Sequence, residues 1–168
     1  MTSILKVDNI QNSSGTSAMS IDSSGNVSAE EYIQQKGLPH VVVAMGGTTG
    51  YVALTAGQVI PFNTIINGSN TSGWNTSTYK YTAPVAGVYS CYALMLPDAI
   101  MDGIIYFDIN DVEFTRQYVA DSRQCRTFNN VYLDAGDTCR FRIGTADSYY
   151  DGNSSGNVHS LASITFLG

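Results

Sequence analysis

Charged residues are scarce in this sequence and account for 13% of its 168 positions, about half of the ~25% that is usual in soluble domains. Long helices normally carry charged and long polar side chains on their water-facing sides, so this composition predicts few helices. Basic residues are the scarcer sign, with 8 Lys and Arg against 14 Asp and Glu and a net charge of −6. Such a balance provides no basic surface for phosphates, and we expect no nucleic-acid partner.

Long apolar runs are also missing. No run reaches the roughly 18 residues needed to cross a bilayer, and the segment after Met1 has neither the basic start nor the apolar stretch of a secretory signal peptide. We therefore expect synthesis in a cytosol and no membrane partner. An exposed final location would be reached by a route other than general secretion.

The sequence lacks the motifs of common enzymes. Its two histidines are His40 and His159, and neither lies in a Ser/His/Asp or HxxxH context, while GxSxG, GxGxxG and Walker patterns are missing. We expect no catalytic residue, no cofactor and no enzymatic activity. An odd number of cysteines without CxxC spacing argues against a disulfide framework or a zinc site. Buried reduced thiols are predicted instead for Cys91, Cys125 and Cys139.

The densest group of carboxylates consists of Asp98, Asp102, Asp108 and Asp111. Oxygen ligands of this kind suit Ca²⁺, but their spacing fits no EF-hand loop. Solvated turns are therefore favoured over a calcium site, and no metal ligand is predicted.

Short β-rich runs are abundant. From His40 to the C-terminus, about ten such runs alternate with clusters of Gly, Asn, Asp and Pro, without helical patterns between them. The run at residues 88–95 alternates between two faces, one with Tyr89 and Cys91 and the other with Ser90 and Tyr92. This pattern predicts an all-β domain at residues 40–168, built as an antiparallel two-sheet sandwich or jelly roll.

Residues 1–27 predict a small N-terminal β segment of two or three short strands. Its apolar positions are too few to form a core, so we expect it to pair with sister chains or dock on a larger assembly. The predicted anchor residues are Ile4, Leu5, Val7, Ile10, Met19 and Ile21.

Residues 28–39 predict a short helical neck or, equally, a linker. Ser28 and Glu31 form a capping box, and Gly37 is placed to end a helix of about two turns over residues 29–36.

The stretch from Tyr79 to Tyr89, YKYTAPVAGVY, places Pro84 and Gly87 at a tight corner between two strands. It resembles the most characteristic sequence of the trimeric jelly-roll family of complement globular heads and tumour-necrosis-factor-like ligands: an aromatic, Thr-Ala-Pro, then Gly, any residue and an aromatic. Three further stretches follow in the family's order, IYFDIN at 105–110, VYLDAGD at 131–137 and SLASITFLG at 160–168. The last of them lacks the family's aromatic-Ser-Gly signature. The resemblance implies a homotrimer of jelly rolls.

The N-terminal segment has its own resemblance. Residues 5–11, LKVDNIQ, and 15–27, GTSAMSIDSSGNV, are similar to the opening of bacteriophage virion structural and fibre proteins. This implies that the N-terminus anchors the chain to a capsid or tail protein while a C-terminal knob points outward. The expected role is a homotrimeric spike, short tail fibre or capsid decoration that is assembled in the host cytoplasm and located in the virion.

An alternative function is a lectin-like module that recognises host surface glycans. The polar loop predicted at residues 147–157 contains Tyr149, Tyr150 and Asp151, and aromatic side chains in loops make good recognition surfaces. Trp74 is a similar candidate for receptor contact. The competing interpretation for the tyrosines is packing under the loop or at a subunit interface, and for Trp74 burial beside a strand is favoured.

Overall fold

A computed structural model of the chain describes residues 9–11, 17–21, 23–24, 27–29, 38–46, 50–150 and 159–168. The chain divides into two compact units, Met1–Lys36 and Gly37–Gly168. In the first unit three short antiparallel strands pair in chain order: β1 Asn9–Gln11, β2 Ser17–Ile21 and β3 Val27–Ala29.

The second unit is built from β-strands, with a 3-10 helix at Thr71–Gly73. The strands are β4 His40–Ala44, β5 Tyr51–Leu54, β6 Thr64–Gly68, β7 Trp74–Asn75, β8 Lys80–Thr82, β9 Gly87–Met95, β10 Met101–Ile109, β11 Val112–Ser122, β12 Cys125–Leu133, β13 Thr138–Ile143, β14 Asp147–Tyr150 and β15 Leu161–Phe166.

Most of these strands form two five-stranded antiparallel sheets. Sheet I has the order β11-β10-β13-β8-β7 and sheet II the order β12-β9-β15-β4-β6, while β14 pairs with β5 in a separate ribbon. Many neighbours are far apart in sequence, such as β9 beside β15 and β10 beside β13. The predicted all-β, antiparallel jelly-roll sandwich is confirmed.

The core lies between the two sheets and follows from the alternation of the strands. In β9 every second residue from Gly87 to Met95 is buried, as the sequence pattern predicts. Phe107 of β10 and Phe141 of β13 have ring centroids 5.3 Å apart, and Phe62 meets Phe141 edge-on at 6.2 Å. Aromatic pairs of this kind contribute beyond the area that they bury.

The YKYTAPVAGVY stretch forms the predicted corner between β8 and β9. Tyr81 and Tyr89 are fully buried, with ring centroids 6.0 Å apart. Gly87 has a φ of 152°, and a β-carbon at this position would lie 2.4 Å from Cε2 of Phe166. Glycine is required here because the closing strand packs directly against its backbone.

A two-residue turn joins β10 to β11. Ile109 pairs with Val112 across it, and Asn110 and Asp111 have φ angles of 50° and 67°. Positive φ at both central positions is typical of a type I′ hairpin, and Asn and Asp tolerate this conformation better than most residues. The turn fixes Asp111 at the end of sheet I.

Two segments differ from the sequence prediction. Ser28 pairs with Ser20 in the β2–β3 ladder. Because its backbone belongs to a strand, Ser28 does not cap a helix at that position. Residues 30–37 of the predicted neck lie outside the described residues. Asp147–Tyr150 forms a strand, where a loop was predicted, because β5 offers it a partner. Among the described residues, no helix has the length and apolar character that a bilayer crossing requires.

Candidate functional site

The open face of sheet I, which points away from the core, carries a network of ion pairs. Asp108 of β10 is completely buried under two arginines of β13. Its Oδ2 accepts from Nε of Arg140 at 3.0 Å and from Nε of Arg142 at 2.6 Å, and its Oδ1 accepts from Nη2 of Arg142 at 2.9 Å. Burial by itself would raise the pKa of Asp108, but the two guanidinium groups outweigh it and hold that pKa below its usual value.

The network extends to both sides of Asp108. Asp111 pairs with Lys80 at 2.6 Å and with Arg140 at 2.8 Å. The ring of Tyr106 lies under Arg142, with 4.7 Å from Cζ to the ring centroid. The charged side chains on this face thus find their ion-pair and cation–π partners within sheet I itself. The face therefore needs no partner molecule and is suited to remain in contact with water.

The open face of sheet II has the opposite character. Strands β4, β9 and β15 contain no Asp, Glu, Lys or Arg. Phe128 and Tyr132 of β12 are 63% and 62% exposed, and Val88 is 38% exposed. We call the following side chains the apolar face: Val42, Val88, Tyr92, Leu94, Phe128 and Tyr132.

The strand register brings the apolar face together. Phe128 lies opposite Tyr92, and Tyr92 lies opposite Ser163, which in turn is opposite Val42. Side chains in such rows are neighbours on one surface of a sheet. The row crosses four strands and forms one continuous surface.

A groove of about 520 Å³ borders the apolar face. It lies between β11 and β12, which are the edge strands of the two sheets. Its lining includes Tyr92, Phe128, Arg126 and Tyr118, and the hydroxyl of Tyr118 donates to Oδ2 of Asp102 at 2.7 Å. At the edge of the sandwich the apolar face therefore meets a mixed lining that includes Arg126 and Gln117.

Two of the candidate receptor contacts are buried: burial was the favoured interpretation for Trp74 and the competing one for Tyr149, and receptor contact is incorrect for both side chains. Tyr149 is 0% exposed, and its hydroxyl donates to the carbonyl oxygen of Thr145 at 3.0 Å. Trp74 is 4% exposed, and its indole Nε1 donates to the carbonyl oxygen of Phe62 at 2.9 Å. Both rings are buried rather than exposed because each has apolar neighbours in the core and a hydrogen-bond partner for its polar atom. The Tyr150 side chain and Asp151 lie outside the described residues.

The predicted anchor residues fall in the first unit. Ile10 of β1 pairs with Met19 of β2, and Ile21 is 38% exposed at the end of β2. The other three, Ile4, Leu5 and Val7, lie outside the described residues. The anchor role stays a prediction.

The three cysteines are buried and free, as predicted. Burial raises the pKa of Cys125 to about 11. Within the part of the chain that the structure describes, no three His, Cys, Asp or Glu side chains group in a way that would hold a metal ion.

Asp108 was predicted to be a solvated carboxylate and is instead buried within a strand. The available signal was its place in the alternating run IYFDI, together with the alternating arginines of TCRFRI. The apolar face could have been found in the same way, because both faces of β9 carry apolar residues.

The second unit resembles known structures, although no family model and no curated protein matches the sequence. Eiger TNF from S. frugiperda superposes with a TM-score of 0.61 at 14% identity, covering 79% of this chain and 94% of that chain. Murine APRIL gives 0.56 at 11% identity, covering 77% and 99%. The globular domain of zebrafish complement 1qA protein gives 0.52 at 17% identity, covering 77% and 96%. The chain therefore has the jelly-roll fold that is common to these tumour-necrosis-factor and complement domains.

Proposed function

We propose that this protein is a non-enzymatic structural protein of a bacteriophage virion, a homotrimeric spike, short tail fibre or capsid decoration with an N-terminal anchor and a C-terminal knob. The observation that carries the proposal is the contrast between the two sheets. On the open face of sheet I the charged side chains pair with one another. The three central strands of sheet II, β4, β9 and β15, contain no charged residue, and the edge strand β12 beside them exposes Phe128 and Tyr132.

Self-association is the simplest use of the apolar face. Large contiguous apolar patches mark interaction sites, and the buried centres of interfaces are depleted in charge and enriched in aromatic residues. The rows formed by Phe128, Tyr92 and Val42 have this composition. The likeness to tumour-necrosis-factor and complement domains supports a trimer as the closed assembly.

Attachment through the first unit rests on its size and its sequence. Its strands have three, five and three residues, and so small a sheet does not form a stable core by itself. Sister chains and a virion protein would supply the missing apolar contacts. The similarity of residues 5–27 to the opening of phage fibre proteins favours this partner.

The assembly is tested with the full chain by sedimentation velocity and light scattering at micromolar concentration. We expect a mass of about three times 18.1 kDa. Phe128→Asp should shift the mass to that of a monomer, because it places a charge in the buried centre of the interface. Val112→Asp is the control, since Val112 is 69% exposed on sheet I and the substitution should leave the trimer intact.

A wild-type chain that sediments as a monomer would refute the trimer. Equal effects of the two substitutions on the mass would refute the role of the apolar face as the trimer interface. Far-UV circular dichroism and the fluorescence of the buried Trp74 establish that each variant is folded.

The virion role is tested by deleting residues 1–36 in the phage that carries the gene, which removes the first unit as a whole. We expect the remaining chain in the lysate but not in purified particles, as measured by quantitative mass spectrometry. Undiminished incorporation of the shortened chain would contradict the anchor, and absence of the full-length chain from wild-type particles would contradict the virion role itself.

Recognition of host surface glycans is the second candidate function. It is favoured by a pocket that combines Tyr51, Arg123 and His159. A glycan array probed with the full chain tests it, and no binding to any host surface sugar would leave the structural role alone.

A further inference from the structure

A second pocket, of about 300 Å³, opens at one end of the sandwich. It is lined by Tyr51, Leu96, Pro97, Arg123 and His159. These residues come from four separate parts of the chain: the start of β5, the segment after β9, the turn between β11 and β12, and the segment before β15. A surface that several loops build together on a rigid sandwich is a common position for a binding site.

The floor of the pocket is held by buried contacts. The backbone N–H of Leu96 donates to Oγ of Ser160 at 3.2 Å, and Ser160 is fully buried. Pro97 forms a β-bridge with Tyr149, and the next backbone N–H, of Asp98, donates to the carbonyl oxygen of Ser148 at 3.0 Å. A pocket fixed in this way loses little conformational freedom when a ligand binds.

The rim offers an aromatic ring and a cation. Tyr51 is 53% exposed. Arg123 is exposed and makes no ion pair or hydrogen bond among the described residues, in contrast to Arg140 and Arg142, which both bind Asp108. A guanidinium group binds a carboxylate through two parallel hydrogen bonds.

The pocket lies at the opposite end of the sandwich from the point where the chain enters and leaves the second unit. In the β4–β15 pair, Thr165 near the C-terminus lies beside His40, where β4 begins, while Leu161 lies beside Ala44. Leu96, Arg123 and His159 adjoin the second of these ends, since they follow β9, follow β11 and precede β15.

We propose that this pocket binds one saccharide unit that carries a carboxylate, of the uronic or sialic acid type. The sugar ring stacks on Tyr51 over the apolar floor of Leu96 and Pro97, and the carboxylate binds Arg123. The volume suits one sugar ring, at the lower limit of the roughly 300–1,000 Å³ usual for ligand pockets. The inference rests on the second candidate function, glycan recognition, and identifies its site and ligand class.

Binding is measured by saturation-transfer-difference NMR on the full chain, with methyl β-D-glucuronide as the probe and its methyl ester as the neutral analogue. A single shallow site predicts millimolar dissociation, which three copies on one particle would convert into useful avidity. We expect the ester to bind at least tenfold more weakly, because it cannot form the two charged hydrogen bonds.

Four variants locate the site. Arg123→Gln and Tyr51→Ala should each weaken binding at least tenfold, whereas Tyr51→Phe should retain it because the ring is kept. Arg116→Gln is the charge-matched control, since this arginine is 60% exposed on sheet I and lies outside the pocket.

Equal binding of the glucuronide and its ester would overturn the carboxylate assignment. No binding of the glucuronide or of N-acetylneuraminic acid at 20 mM, or equal losses in the Arg123 and Arg116 variants, would overturn the proposal as a whole. These outcomes are independent of the oligomer mass and of incorporation into particles, so the structural role can fail or stand separately.

Discussion

Replacing Asp108 by asparagine tests whether the network on sheet I stabilises the fold. The substitution keeps the shape of the side chain but removes the negative charge between Arg140 and Arg142. It also places an amide group where a carboxylate accepts three hydrogen bonds of 2.6 to 3.0 Å. The two guanidinium groups then lie close together without the negative charge that offsets their repulsion.

Breaking a buried ion pair typically costs about 3–5 kcal/mol. The lower end applies here, because the side chains of Arg140 and Arg142 are 19% and 22% exposed and can reach water, and because Arg140 keeps its contact with Asp111 at 2.8 Å. We therefore expect the free energy of unfolding to fall by about 3 kcal/mol. For a domain of this size that lowers Tm by about 10 °C.

Urea unfolding at one fixed protein concentration, followed by Trp74 fluorescence, measures the change. Asp98→Asn is the matched control, since this exposed carboxylate lies outside the network and its loss should stay within about 0.5 kcal/mol. A loss below about 1 kcal/mol for Asp108→Asn would refute the assigned role.

The pH dependence gives a second test. The pKa of Asp108 is lowered in the folded state, so its contribution is present above the ordinary carboxyl pKa of about 3.9 and is lost as pH falls through the folded-state value. The difference between wild type and Asp108→Asn should therefore shrink as the pH is lowered below about 4. A difference that stays the same at pH 7 and pH 3 would contradict the electrostatic explanation.

Three further predictions concern the core. Gly103→Ala should destabilise the fold by about 2 kcal/mol, because the new β-carbon would lie 1.9 Å from Sγ of Cys125. In chemical unfolding, the double variant with Cys125→Ala should recover most of this loss. If the losses of the two single variants simply add, the clash is excluded. Tyr149→Ala should cost about 3–5 kcal/mol, whereas Tyr149→Phe should cost about 1 kcal/mol for the hydrogen bond to Thr145; thermal melts that rank the two variants otherwise would contradict its core position. The three thiols should react with Ellman's reagent at pH 8 only after addition of urea, since all are buried; fast labelling of the native chain would disprove their burial.

The sequence by itself determined the fold class and the corner between β8 and β9. Alternation in β9 assigns its residues to two faces without reference to any partner, because successive side chains of a strand point in opposite directions. The Thr-Ala-Pro and Gly pattern similarly places Tyr81 and Tyr89 toward one core. Local rules of this kind need only neighbouring residues.

The tertiary structure alone decided which aromatic rings are buried and which remain exposed. Nothing in the local sequence shows whether Tyr149 or Tyr51 is buried. Strand pairing between β14 and β5 places Tyr149 inside the core and Tyr51 at a pocket rim. Asp108 likewise became a buried anion because β13 brought two arginines beside it across about 30 residues of chain. Burial depends on which strands become neighbours, and that choice is made by long-range pairing that no local pattern encodes.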